Sequence, residues 1–321
     1  MRRRSFVCLA LLIAAPASAQ QIFETVGSRA LGMGGAFVGV ADDATAVYWN
    51  PAGLATGSPP GATIEWVRLR TRDQKATPES GASARNSHFV SLGTWPLGLS
   101  YASVNTTELT PGVNGTLQAA SLRTRQFGLT FMQTLVPGVT VGSTLKYVRG
   151  TTALEAAEGV TTGDALKKGE ELKGSTTGAF DLDIGVMADL HWVRVGVTSR
   201  NLRQPRFGKI AESSVQLKRQ TRAGISLLPV NGLTLAIDVD LNTVDLRDGL
   251  RRMIAFGGEG RLSSRLMVRT GMRWNLKAER QRVVAGGLSI MLRPRMWLDV
   301  HYTQGRLDLD RGYGIALRAG L

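Results

Sequence analysis

The chain has 321 residues, with 39 Lys+Arg against 25 Asp+Glu and a formal net charge of +14 at pH 7. No stretch approaches the ~18 consecutive apolar residues of a spanning helix. A single cysteine, Cys8, excludes a disulfide framework and a cysteine metal site.

Met1-Arg2-Arg3-Arg4, an apolar run from Phe6 to Ala15, and Ala17-Ser18-Ala19 read as a secretory signal peptide over 1–19, cut after Ala19. The run is too short for a membrane anchor, which needs about 20 residues. Cys8 lies inside it, too early for a lipoprotein attachment site, so the mature chain carries no thiol. Without Arg2, Arg3 and Arg4 the balance is 36 basic to 25 acidic residues, a net +11. In an exported protein that charge points to anionic lipid head groups or an anionic ligand, and not to nucleic acid.

Residues 20–60 form the next unit. The stretch 27–55, GSRALGMGGAFVGVADDATAVYWNPAGLA, holds Gly32, Gly34, Gly35 and Gly53, the pair Asp42-Asp43, and the turn Asn50-Pro51-Ala52-Gly53. Clustered glycines permit sharp turns and close backbone contact. Pro51 moves Asn50 out of the helical region. Ala30, Leu31, Met33, Ala36, Phe37, Val38 and Val40 suit a short helix packed against a wall. The expectation is a compact folded plug and not one more strand. Asp42-Asp43 is placed to cap the next turn or to pair with arginines. A calcium loop needs more oxygen ligands at regular spacing, so no metal is expected. The glycine pairs lack the G-x-x-x-x-G-K-[ST] pattern, and no cofactor is expected.

From residue 61 to 321, alternation of apolar and polar residues predicts fourteen strands. They lie near 62–73, 86–95, 97–108, 121–135, 138–150, 178–190, 191–201, 216–228, 232–243, 251–262, 265–276, 281–293, 296–305 and 310–321. Tight turns follow the even-numbered strands, at Pro96-Leu97, Val136-Pro137-Gly138, Leu190-His191, Pro229-Val230-Asn231, Ser263-Ser264 and Arg293-Pro294-Arg295. Longer polar loops follow most odd-numbered strands, the longest near 151–177. Short turns on one side and long loops on the other are the rhythm of an outer-membrane barrel. The expected fold is all-β: a 14-stranded antiparallel transmembrane β-barrel with a small N-terminal helical hatch in the lumen. The alternative is a soluble exported β-sandwich with binding function.

The faces carry the same message. Phe180, Leu182, Ile184, Val186, Ala188 and Leu190 share one face; Asp181, Asp183, Gly185, Met187 and Asp189 share the other. Asp181, Asp183, Arg194 and Arg200 come from neighbouring strands, as do Glu259, Arg261, Arg269 and Arg273. Opposite charges on adjacent strands can pair, filling a narrow lumen, or can line a solute path. For a carboxylate ligand, Arg194, Arg269 and Arg273 are the candidate forks. The three histidines, His88, His191 and His301, stand in no nucleophile motif, so no enzymatic activity is expected.

Stretch 27–55, behind a signal and ahead of strands, resembles the N-terminus of the FadL-type outer-membrane proteins, and within that superfamily the PorV/PorQ branch. The resemblance is specific over about 30 residues and a matter of pattern beyond them. It implies a fourteen-stranded barrel in the outer membrane of a Gram-negative bacterium, surrounded by outer-membrane lipid, with the hatch inside at the periplasmic end and Asn50-Pro51-Ala52 as the hinge between plug and wall. FadL proteins pass fatty-acid-like hydrophobic molecules through a gap in the wall beside the hatch. PorV-like members serve protein secretion, with secreted-protein or secretion-system partners. FadL barrels are usually longer, with large surface loops; here one loop is long, and the chain ends in Leu321 and not an aromatic residue.

Overall fold

The computed structural model describes residues 21–56, 60–71, 82–111, 117–156, 162–208, 214–246, 249–277, 282–305 and 311–321. The signal peptide expected over 1–19 lies outside the described residues. Fourteen antiparallel strands close into one barrel in sequence order, the first pairing the last. They are β1 (Gly61–Thr71), β2 (Ala82–Thr94), β3 (Leu97–Pro111), β4 (Leu117–Val136), β5 (Val139–Ala156), β6 (Ser175–Asp189) and β7 (Val193–Arg200). The circuit continues with β8 (Gln220–Val230), β9 (Leu233–Asp240), β10 (Met253–Ser263), β11 (Leu266–Asn275), β12 (Arg282–Arg293), β13 (Met296–Gly305) and β14 (Arg311–Gly320). A closed circuit excludes the sandwich: no edge is left unpaired.

The burial pattern is that of a soluble protein turned inside out. On β6, Phe180 is 55% and Ile184 37% exposed, while Asp181 and Asp183 between them are 0% and 2% exposed. The same reversal runs along β9, where Leu235 and Ile237 are exposed and Asp238 is buried. An exposed apolar wall around a polar interior is stable only with lipid outside. Aromatic rings mark the limits of that wall. Tyr101, Phe127, Tyr147 and Phe180 are register partners on four successive strands. Trp95 and Trp192 stand exposed at the short turns. Among the described residues no helix is long and apolar enough to cross a membrane.

The wall is uneven. β4 has 20 residues and β5 18, whereas β7 and β9 have 8 each. A spanning strand needs about 9–11 residues, so the β3–β5 sector rises well beyond the apolar belt on the long-loop side. There its outward residues become small or polar, and helix α3 (Thr162–Glu171) covers them. Ala165 and Leu166 of α3 pack on Ala82, Ala84, Leu109 and Ala119. The α3 carbonyl of Glu170 accepts hydrogen bonds from Arg123 at 2.7 Å and Asn105 at 3.2 Å. The segment near 151–177, expected to be a loop, thus extends β5 and adds a helix on the outer face.

Two short hairpins, Arg206–Phe207 with Val215–Gln216 and Val244–Leu246 with Gly249–Arg251, fold back over the interior. Phe207 packs on Leu122 and Val148. The second hairpin packs Val244 and Leu246 on Ile22.

Candidate functional site

Residues 21–55 occupy the lumen. Their short elements are α1 (Ser28–Gly32), α2 (Ala46–Trp49) and a 3-10 turn (Pro51–Ala55). Phe23, Phe37, Tyr48 and Trp49 form an aromatic core, with Trp49 donating its indole N–H to the Val26 carbonyl at 3.1 Å. The segment is not confined to the periplasmic end. Gln21 and Ile22 meet Gln126 and the second hairpin on the long-loop side, while Asp42 and Asp43 lie toward the short turns, beside Arg194 and Arg318.

Backbone lies directly on backbone where the strands carry inward glycines. A Cβ on Gly142 would sit 2.4 Å from the Pro51 carbonyl carbon, and one on Gly271 would sit 2.2 Å from that of Met33. Gly185, Gly196, Gly224 and Gly257 make comparable contacts with Asn50, Val38, Gly39 and Met33. Gly142–Gly185, Gly196–Gly224 and Gly257–Gly271 are cross-strand partners, so the cleared surface forms a belt. Within the segment, Gly34 and Gly35 have φ of 70° and 90°, a conformation that side chains resist. Gly32 rests on Gly287, and a Cβ on Gly53 would strike the Ala41 carbonyl.

Asn50 explains the Asn-Pro-Ala-Gly turn. Its side-chain oxygen accepts from the Ala52 N–H at 3.2 Å and caps the 3-10 turn that Pro51 begins. Its amide nitrogen donates to the carbonyls of Val38 and Val186, both at 3.1 Å, tying the segment to β6.

Charges lock the same contacts. Arg29 binds Glu259 at 2.7 Å, Asp42 at 2.5 Å and Asp43 at 2.9 Å. Glu24 binds Arg222 at 2.7 Å and Arg251 of the second hairpin at 2.5 Å. Two wall carboxylates take main-chain N–H bonds from the segment: Glu65 from Gly27 and Ser28, and Asp238 from Phe37 and Val38. Burial pushes the Glu24 carboxyl up, but the guanidiniums of Arg251, Arg222 and Arg273 outweigh it and hold it well below its ordinary 4.5. Burial likewise opposes ionisation of Asp43, and Arg29 and Arg318 hold its carboxyl low.

The sign follows from linkage. A carboxyl depressed in the folded state contributes stability that is complete above its unfolded value and fades as pH falls toward the folded one. Glu24→Gln is therefore expected to weaken protease resistance of the N-terminal segment at pH 7. The difference from the parent narrows between pH 4.5 and pH 3 as the parent's Glu24 advantage declines. A gap that stays constant down to pH 3 would contradict the assignment.

Most wall charges singled out in the sequence are ion-paired; Arg261 is instead exposed at the short-turn rim beside Gly232. Asp181 and Asp183 share Lys146 of β5 at 3.0 and 2.7 Å, and Asp183 also meets Arg200 at 3.5 Å. Arg200 lies 3.5 Å above the Tyr48 ring. Arg194 binds Asp189 and Asp42. Glu259 and Arg269 pair at 2.5 Å, and Arg269 reaches Asp299 at 3.5 Å. Arg273 is buried and adds positive charge near Glu24. Lys146, Arg29, Glu24 and Glu65 were not anticipated. Arg29 and Glu24 carried a signal: they are lone charges in an otherwise apolar run. His301 is buried on the inner face, His88 is exposed on the outer face, and His191 sits in the turn before β7.

The wall beside the segment is unbroken at β3. β3 pairs β2 from Leu97 to Leu109, and β4 from Leu97 to Pro111, without a shift in register. The register shifts recorded between barrel strands lie at short-turn ends, such as Thr134/Val136 and Arg261/Ser263.

The fold is similar to that of solved barrels. The CymD monoaromatic hydrocarbon channel superposes with a TM-score of 0.64 at 12% identity, over 92% of this chain and 97% of that one. The Ralstonia pickettii toluene transporter TbuX gives 0.64 at 13% identity, over 94% and 100%. A Pseudomonas aeruginosa FadL homologue gives 0.62 at 9% identity, over 92% and 98%. A family model described as "F plasmid transfer operon, TraF, protein" matches residues 86–240, just under half the chain. No curated protein matches.

Proposed function

We propose that the chain is an outer-membrane β-barrel of the FadL type that binds or passes hydrophobic small molecules. In this reading a signal peptide covers 1–19, a hatch 20–60 and the barrel 61–321. The hatch seats through Gly32, Gly34, Gly35, Asp42, Asp43 and the Asn50-Pro51-Ala52-Gly53 turn. The observation that carries the proposal is a closed fourteen-strand wall with an N-terminal segment folded inside it, an architecture matched across almost the whole chain by proteins described as hydrocarbon channels and toluene transporters. Arg194 and Arg269 already hold protein carboxylates, which favours an uncharged ligand over a fatty-acid carboxylate. The surrounding membrane is the outer membrane of a Gram-negative bacterium.

A second reading, a PorV/PorQ-like component of secretion or surface assembly, is favoured by one observation: the hatch is tied to the wall by buried ion pairs and the β3 register is unbroken. A closed, rigid body suits a docking platform. Uptake separates the two. Outer-membrane expression in a Gram-negative host is expected to raise uptake of labelled toluene above the empty-vector level. If correctly inserted, heat-shiftable protein leaves uptake of both toluene and oleate unchanged, the transport reading fails and the platform reading stands.

A further inference from the structure

The outer surface carries a pair of cations with no counter-ion among the described residues. Arg125 on β4 and Arg149 on β5 are direct register partners, both exposed. Such partners hold their Cβ atoms about 5 Å apart, and like charges so placed repel. Among the described residues neither makes an ion pair or hydrogen bond. One step above them on β4, Arg123 is engaged by α3. One step below are Phe127 and Tyr147, in the aromatic row that bounds the apolar belt. Tyr147 lies across Gly178, where an added Cβ would meet its hydroxyl oxygen at 2.4 Å; Gly178 is the register partner of Arg149. The tyrosine hydroxyl therefore lies over β6, at the register level of Arg149.

Directly beneath is a depression of about 440 Å³ in the outer wall, lined by Leu99, Tyr101, Phe127, Leu129, Tyr147 and Phe180. Phe127 and Tyr147 belong to both features, so a cationic notch opens onto an apolar trough. Aromatic residues at this depth mark the boundary between acyl chains and head groups.

We propose that this face of β4 and β5 holds one phosphorylated lipid of the outer leaflet. Its phosphate bridges Arg125 and Arg149, and one acyl chain fills the trough. Arginine suits the role because its planar fork matches phosphate oxygens. The bound anion removes the repulsion that the bare pair carries. The inference rests on the outer-membrane reading above.

The test uses full-length protein in phosphatidylcholine nanodiscs doped with diphosphoryl lipid A, with retained lipid counted by native mass spectrometry. Parent protein and the opposite-rim control R265Q/R293Q are expected to retain lipid A. R125Q/R149Q is expected to bind it more weakly by about tenfold or more, the scale of lost charge-assisted hydrogen bonds. Phosphatidylcholine retention stays the same in all three, and millimolar inorganic phosphate does not displace the lipid. Equal lipid A retention by R125Q/R149Q and the parent overturns the site. Displacement by inorganic phosphate also overturns it, leaving an ion site without a lipid. Absence of a heat-dependent gel shift in every protein overturns the outer-membrane reading and this inference together.

Discussion

Arg29→Gln is expected to destabilise the protein by about 3 kcal/mol, the low end of the ~3–5 kcal/mol for breaking a buried ion pair. The lower end applies because the stranded carboxylates keep some partners. Glu259 retains Arg269, Asp43 retains the Thr45 N–H at 2.9 Å, and Asp42 is partly exposed and near Arg194. What disappears is the single cation that joins the two halves of the N-terminal segment to β10. The measured consequence is a lower guanidinium midpoint in detergent and faster protease cleavage within residues 21–55, with the barrel's heat-dependent gel shift retained. Arg29→Lys restores charge without the fork that meets Glu259 through both Nε and Nη2, so partial recovery is expected. An unchanged midpoint in Arg29→Gln would show that the network contributes nothing net.

Gly257→Val is expected to unseat the segment while sparing the wall, and Gly258→Val beside it to do neither. A Cβ at Gly257 would lie 2.4 Å from the Met33 carbonyl oxygen, and the obstacle is main chain that cannot rotate away. At Gly258 the nearest atom is a Leu235 methyl at 3.5 Å, ordinary contact. Overpacking costs about 1–3 kcal/mol where side chains can yield; here they cannot, so displacement of the segment is the cheaper response. Nitrocefin entry into intact cells should rise for Gly257→Val and stay at the parental rate for Gly258→Val. Equal entry rates for the two variants would sink the idea that the segment closes the lumen. A rise in both would instead implicate a general weakening of the strand.

The barrel was legible because lipid outside and charge inside impose opposite chemistry on alternate residues. Asp181, Asp183, Asp238 and their apolar neighbours state the faces outright. Legibility failed where that contrast fades. Beyond the apolar belt, β4 presents Ala119, Ser121 and Arg123 outward, so the extension of β4 and β5 showed no alternation, and neither did the helix lying on it. Pairing partners were also hidden. Lys146 serves Asp181 and Asp183 from the strand on the side opposite to Arg194 and Arg200, and periodicity assigns a face without naming a neighbour. The inward glycines were visible one by one. That they align into a seat for residues 33–52 emerges only from register.

Arg222, which holds Glu24, and Glu259, which holds Arg29, lie 198 and 230 residues farther along the chain. The early strands β1, β5 and β6 supply only part of its seat; β8, β10 and β11 supply the rest, with Arg222 and Glu259 as clamps. The entropy of closing so large a loop grows only logarithmically with length, but contacts this distant are slow to form. The stretch synthesised and exported ahead of the wall is thus among the last to find its place. Until the late strands arrive, Glu24 lacks both of its arginines, and Arg29 has only Asp42 and Asp43 of its own segment.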